Sequence, residues 1–252
     1  MIERGGRPLV AGTAALLLIG NELLSGKTQD QNLIELSRVL RALGIRLVRA
    51  VVVSDDIGVI SREIRELRTH ADVVFTSGGV GPTHDDVTID AVAQALDWDV
   101  IEHPDLVRLL REHYGEAITP AHLRMARVPR GARLVSVVDI HWPTTLADNV
   151  FVLPGVPEIF RMKLDAVRAH LVGQQPFLSR AVFLKSEEVA LKPLLDRIVA
   201  QNPDVEIGSY PKWFEPTYNT KITFDSRNAD AIERAVAGFV AGCDAADVVR
   251  VE

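Results

Sequence analysis

Three short, mostly apolar runs decide what this chain can fold into. They are Ala14 to Ile19 (AALLLI), Asp72 to Thr76 (DVVFT) and Phe151 to Leu153. Runs this short with no polar alternation predict strands buried on both faces, as in a parallel sheet covered by helices. The intervening segments agree. Leu33, Leu36, Leu40 and Leu43 recur at helical spacing, and Gly44 closes that helix. Ile45 to Val53 is β-rich, and Ile57, Ile60, Ile64 and Leu67 stripe a helix over 57–67. Further helices are expected over Asp85 to Leu96 and Glu158 to His170. Strand and helix alternate through short loops, which means βαβ units and an α/β fold with a mostly parallel sheet.

The rhythm then changes. Gly173 to Pro176 (GQQP) reads as a linker, dividing residues 1–173 from a smaller α+β domain over 174–252. That second part runs strand (Ala181 to Lys185), helix (Glu187 to Ala200), strand (Val205 to Tyr210) and strand (Thr220 to Phe224). A helix (Asn228 to Val240) and a last strand (Val248 to Val251) complete a βαββαβ order. Ile232, Ala235, Val236 and Phe239 are expected to face inward, and Pro193 to kink or restart its helix. Ser209, Tyr210, Pro211 and Trp213 read as core or interface packing, or as part of a ligand site.

In open parallel sheets, ligands sit beyond the carboxyl ends of the strands. Three strands here end in unusual loops: Gly20 to Asn32 (GNELLSGKTQDQN), Ser77 to Thr88 (SGGVGPTHDDVT) and Pro154 to Glu158 (PGVPE). In the second, Gly78, Gly79 and Gly81 let the backbone curl toward a ligand, so that successive N–H groups can face an anion. Thr83 or Asp85 is expected to cap the following helix, whose N-terminus favours phosphate. Asp85 and Asp86 would repel a phosphate unless a hard divalent cation lay between, the alternative being one cap and one solvated carboxylate. His84 suits a metal ligand, a general acid, a phosphate contact or a plain hydrogen-bonding residue.

In the first loop, Ser25 and Gly26 resemble a small anion-binding turn and Lys27 supplies a cation. Gly20, Glu22, Asp30 and Asn32 lie at the same strand end, with Asp30 also a candidate helix cap. Asp55 and Asp56 precede Ile57 and read equally as N-caps or as metal-binding groups. In the third loop, Gly155 permits a tight turn, Pro157 suits a first helical turn and Glu158 favours the helix dipole.

Charge and cysteine usage narrow the chemistry. A net charge of −6 argues against a nucleic-acid partner, although backbone N–H groups can still hold a small anion. Cys243 is the only cysteine, so neither an intrachain disulfide nor a Cys-based zinc site can form, and a small core role in a cytoplasmic setting is expected. Arg4 and Arg7 before the apolar stretch from Pro8 to Ile19 mimic a signal peptide. A strand-end sequence, Gly20-Asn21-Glu22, follows in place of a cleavage pattern. No run has the length of a membrane span.

Taken together, GNELLSGKTQDQN, SGGVGPTHDDVT and LPGVPEIF resemble the molybdopterin-binding (MoCF-like) domain family, in the branch of competence/damage-inducible protein A. RMARVPRGARL, IGSYPKW and TKITFDS extend the resemblance to the molybdopterin-binding-like half of FAD synthase, over nearly the whole chain. The resemblance implies a three-layer α/β/α fold with its pocket at these strand ends. It also implies divalent-metal-dependent cleavage of nucleotide pyrophosphates such as FAD or ADP-ribose, or non-catalytic binding of molybdopterin or a nucleotide. By motif position, Asp55 and Asp86 match the family's active-site aspartates. Gly78, Gly79, Gly81, Thr83 and Asp85 match its pocket loop. Implied cofactors are Mg²⁺, Mn²⁺ or Co²⁺, with K⁺ as a companion ion, and the metal would sit on Glu22, Asp85 and Asp86. Implied partners are a small nucleotide or pterin and further copies of the chain, as dimer or trimer. The family usually carries Asp where this chain has Asn21, which lowers the charge available to a metal. Neither an amidohydrolase nor a reductase-like synthase module is recognised, so deamidation of nicotinamide mononucleotide and synthesis of FAD are not expected.

Overall fold

A computed structural model of the chain describes residues 2–3, 7–137 and 142–252. Arg4, named above, lies outside these residues. Contacts divide the chain into two compact units, 1–174 and 175–252, with the break inside the GQQP segment.

The first unit is built on β1 (Thr13–Ile19), α1 (Asn32–Ala42), β2 (Arg46–Val53), α2 (Ile57–His70), β3 (Val73–Ser77) and α3 (Thr88–Leu96). It continues through α4 (Pro104–Tyr114), β4 (Arg133–Val135), β5 (Thr144–Ala147), β6 (Val150–Leu153) and α5 (Pro157–His170). The sheet runs Ile2–Glu3, β4, β5, β6, β3, β1, β2. β6, β3, β1 and β2 are mutually parallel, and β5 is antiparallel to both of its neighbours.

The alternation along β1 builds a core on each face. Leu16 and Leu18 meet Leu36 and Leu40 of α1 and Phe160 and Leu164 of α5. Ala15, Leu17 and Ile19 meet Ile60 and Ile64 of α2 and Ala91 and Val92 of α3. This is the three-layer α/β/α arrangement. The stretch from Pro8 to Ile19 that mimicked a signal peptide contributes a strand to the middle of the sheet. Among the described residues no helix is long and apolar enough to cross a membrane.

The start of one helix departs from expectation. The helix placed over Asp85 to Leu96 begins only at Thr88, and its N-cap Val87 accepts no side-chain hydrogen bond, so neither Thr83 nor Asp85 caps it. The turn before it closes on its own side chains instead. Between α3 and β5 the chain also supplies α4 and a small apolar cluster of Leu106, Leu110, Ala126, Val128 and Leu134.

The second unit contains β7 (Leu178–Leu184), α6 (Glu188–Gln201), β8 (Glu206–Pro211), β9 (Thr220–Ser226), α7 (Ala229–Ala241) and β10 (Val248–Val251). Its antiparallel sheet has the order β8, β9, β7, β10, and Ile232, Ala235, Val236 and Phe239 pack beneath it. α6 runs through Pro193 as one helix rather than restarting there. Cys243 is partly buried against the same core and donates to the Phe239 carbonyl. Trp213 is 87% exposed, so it is not core packing.

Candidate functional site

β2 lies on one side of β1, whereas β3 and β6 lie on the other. The order in which strands are added to the sheet therefore reverses at β1, and the crevice beyond the carboxyl ends of β1 and β3 is the expected place for a ligand. A cavity of about 610 Å³ opens there, a volume usual for small-molecule sites. Ile19, Asp55, Gly78 and Pro154, at or just beyond the ends of β1, β2, β3 and β6, all line it.

The strand ends approach so closely that a glycine is required at 78 and a side chain at 155 would be tight. Gly78 has φ of +110°, and a β-carbon on it would lie 2.2 Å from the Ile19 carbonyl oxygen. One on Gly155 would lie 3.2 Å from the Gly78 Cα. Asn32, in the first turn of α1 and 3% exposed, clamps the same junction. Its Nδ2 donates to Ser77 Oγ at 2.9 Å and to the Gly155 carbonyl at 2.8 Å. Asp30 caps α1 by accepting from the Leu33 N–H at 3.0 Å, which sets Asn32 in place. Thr88, buried at the start of α3, donates to the Gly78 carbonyl.

The Ser77 to Thr88 loop presents amide donors. Among the described residues the N–H groups of Gly79, Val80, Gly81, Ile89 and Asp90 find no acceptor, and all five residues line the cavity. The last two belong to the uncapped first turn of α3, where the helix field favours an anion.

Beside these donors stand two carboxylates competing for one proton. Thr83 Oγ1 lies 2.7 Å from Asp85 Oδ1 and 2.5 Å from Asp86 Oδ2, and the Thr83 N–H donates to the same Asp86 oxygen. A hydroxyl carries a single proton. That proton is shared between the two carboxylates or serves one of them, and a cation bound beside the pair would lessen their mutual repulsion. The Thr83 hydroxyl, followed by the Asp85 backbone N–H, holds the Asp85 carboxyl below the usual carboxylate range.

Asp55 and Asp56 divide their roles. Asp56 caps α2 by accepting from the Val59 N–H at 2.8 Å, whereas Asp55 turns to the cavity and accepts from the Asn21 N–H at 2.8 Å. Glu22 lines the cavity from the short helix Asn21–Leu24.

Among the described residues no three His, Cys, Asp or Glu side chains converge on one point. Glu22, Asp85 and Asp86 thus form no ready-made metal cage. The donor set nevertheless suits a hard cation. Mg²⁺ is commonly held by one or two carboxylates, with waters and substrate phosphate oxygens completing its shell.

Other sequence candidates lie further out. Gly20 donates to the Val53 carbonyl and orients the turn. Ser25, Gly26 and Lys27 form an exposed turn whose amides, and the Ser25 hydroxyl, pack back on the short helix, and none of the three lines the cavity. Thr83 reaches the cavity only through its aspartates, and His84 is exposed with Nδ1 3.9 Å from Asp85.

The structure also adds residues that the sequence had not marked as part of the site. Arg124, Arg127, Trp142 and Lys163 line the same cavity. Arg127 forms a two-armed pair with Asp90 in the first turn of α3. Lys163 is buried in α5 with its ammonium on the Trp142 and Pro143 carbonyls. Arg124 and Arg127 fall in the RMARVPRGARL segment, which carried the resemblance without pointing to a site, whereas Trp142 and the mid-helix Lys163 fall in no motif.

Comparison with known proteins agrees with this architecture. Residues 15–174 match the family described as the probable molybdopterin binding domain, and residues 176–252 match the middle domain of FAD synthase. A protein of Archaeoglobus fulgidus is 29% identical over 89% of this chain and 95% of its own length. A probable FAD synthase of Caenorhabditis elegans is 30% identical over 90% of this chain, which spans only 49% of that relative. A CinA-like protein of Desulfovibrio desulfuricans is 32% identical over 87% of this chain and 53% of its own. The crystal structure of CinA from Thermoplasma acidophilum superposes with a TM-score of 0.57 at 32% identity, covering 62% of this chain and 95% of that one. The chain belongs to the molybdopterin-binding (MoCF-like) domain family, in its CinA-like branch.

Proposed function

We propose that the chain hydrolyses a nucleotide pyrophosphate, of the FAD or ADP-ribose type, with a divalent cation. The observation that carries this reading is the Thr83 hydroxyl held between Asp85 and Asp86, beside a row of unpaired amide donors on one cavity. Amide donors favour phosphate and paired carboxylates disfavour it, so the two together call for a cation between them. Relatives named as probable FAD synthases support a nucleotide ligand.

In this reading water attacks one phosphorus, the bridging P–O bond breaks, and its electron pair leaves on the departing phosphate. FAD and water then give FMN and AMP. Asp55 has one oxygen fixed by the Asn21 N–H, and among the described residues its other oxygen is free to orient the water. Asp86, with Asp85 and Glu22, would hold the cation. The N–H groups of Gly79, Val80 and Gly81 hold oxygens that gain charge in the transition state. A bound divalent cation supplies charge neutralisation at the phosphoryl oxygens. Lys27 is exposed and does not line the cavity, so it has no assigned contact in this reading.

Chromatography of FAD and ADP-ribose incubated with Mg²⁺, Mn²⁺ or Co²⁺, and again with chelator, tests this. Metal-dependent formation of AMP is expected. Absence of turnover with every cation contradicts it.

One observation favours a second reading, binding of molybdopterin or a nucleotide without chemistry. Position 21 carries an amide rather than a carboxylate, and no three acidic or imidazole groups converge among the described residues. Calorimetric binding of either ligand with no product formed would select it.

A further inference from the structure

The cavity has a cationic wall that the hydrolytic reading leaves unused. Lys163 sits two turns into α5, about 9 Å along the helix axis from Pro157. It is 5% exposed yet lines the cavity. Its ammonium donates to the carbonyl of Trp142 and, at 3.3 Å, to that of Pro143. An ammonium has three donors, so one remains. Among the described residues no carboxylate pairs with it, whereas Arg127, which lines the same cavity, is paired with Asp90 through both terminal nitrogens. Arg124 lines the same cavity, also with no ion-pair partner among the described residues.

A buried charge without a counter-ion is costly, and sites that keep one commonly await an anion. Burial alone lowers Lys163 to about 8, with no neighbouring charge contributing. The two carbonyls fix the ammonium in place without neutralising it. A purely structural strut between α5 and the segment before β5 could use a neutral donor. A full positive charge facing a cavity lined elsewhere by five acidic side chains, namely Glu22, Asp55, Asp85, Asp86 and Asp90, is a separate provision.

We propose that Lys163, with Arg124, is the anion-recognition point of the cavity and takes the phosphate that remains on the nucleoside monophosphate product. Lys163 is here a specificity residue, selecting nucleotides over nucleosides. Only the class of ligand rests on the hydrolase reading; recognition of the phosphate stands apart from the chemistry at Asp86.

AMP, the product, and adenosine, which lacks the phosphate, are suitable probes. Titration calorimetry at about pH 7, where the ammonium is charged, compares the wild type with Lys163→Gln, Lys163→Met and Lys163→Arg. Gln keeps an N–H donor for the carbonyls and removes the charge, so it serves where Met does not fold. Wild-type protein is expected to prefer AMP to adenosine. Lys163→Gln should weaken AMP by about 10-fold or more and leave adenosine unchanged, and Arg should restore most of the loss. Equal AMP affinity in Lys163→Gln and wild type overturns the proposal, as does an equal loss for adenosine or failure of the wild type to bind AMP. Turnover of ADP-ribose on the same preparations separates the two readings. Binding of AMP through Lys163 with no turnover removes the hydrolase alone, and turnover with AMP affinity independent of Lys163 removes this proposal alone.

Discussion

The amide N–H of Asn21 donates to the Asp55 carboxylate at 2.8 Å, joining the end of β1 to the end of β2 at the mouth of the cavity. The contact uses the backbone of residue 21, so the change from the family's Asp to Asn leaves it intact. Asp55→Asn can still accept this hydrogen bond while losing the charge. Its unfolding midpoint should match the wild type, whereas Asp55→Ala should lose about 1 kcal/mol. Both should lose turnover. If Asp55→Asn keeps full activity, the charge at this position has no catalytic role.

Asn32 ties three segments together. Asn32→Ala leaves Ser77 Oγ and the Gly155 carbonyl without this donor in a part-buried junction. The expected loss is on the order of 1–3 kcal/mol in urea unfolding. A change within about 0.5 kcal/mol, the range of ordinary surface substitutions, would show that the clamp is not needed.

Gly78→Ala should also destabilise the strand ends. Its β-carbon would meet the Ile19 carbonyl oxygen at 2.2 Å, with φ at +110°. Substitution at such a position usually costs more than about 1 kcal/mol. Denaturant midpoints, with the binding of AMP as a second readout, check both the strain and its effect on the loop.

These sites show what the sequence could and could not convey. Buried strands and amphipathic helices leave a pattern in the order of residues, so β1, β3, β6, α1 and α2 were legible. Gly-rich strand ends announce themselves for the same reason. The start of α3 did not, because Thr83, Asp85 and Asp86 are good caps by type but spend their hydrogen bonds on one another. Lys163 was hidden for another reason. A lysine in a helix is normally solvated, and only the tertiary packing of α5 buries this one.

Burial of Lys163 should also be visible in stability against pH. Its folded value is lowered from 10.5 to about 8 by desolvation. Between these values the unfolded chain binds the proton and the folded chain does not, so this group makes stability rise with pH. Wild-type stability measured relative to Lys163→Met should therefore increase from about pH 8 to about pH 10. Preference for AMP over adenosine should fall over the same range as the ammonium loses its proton. A difference between the two proteins that stays flat with pH would contradict the assignment.

The central claim concerns Asp86, the carboxylate that shares the Thr83 hydroxyl beside the amide donors. Initial rates of AMP release from ADP-ribose with saturating Mn²⁺, measured side by side for wild type and Asp86→Asn of equal melting temperature, test it most directly. A loss of about 100-fold or more in the variant, with AMP binding retained, is expected if the site works through a cation. Equal rates in the two proteins would contradict the account.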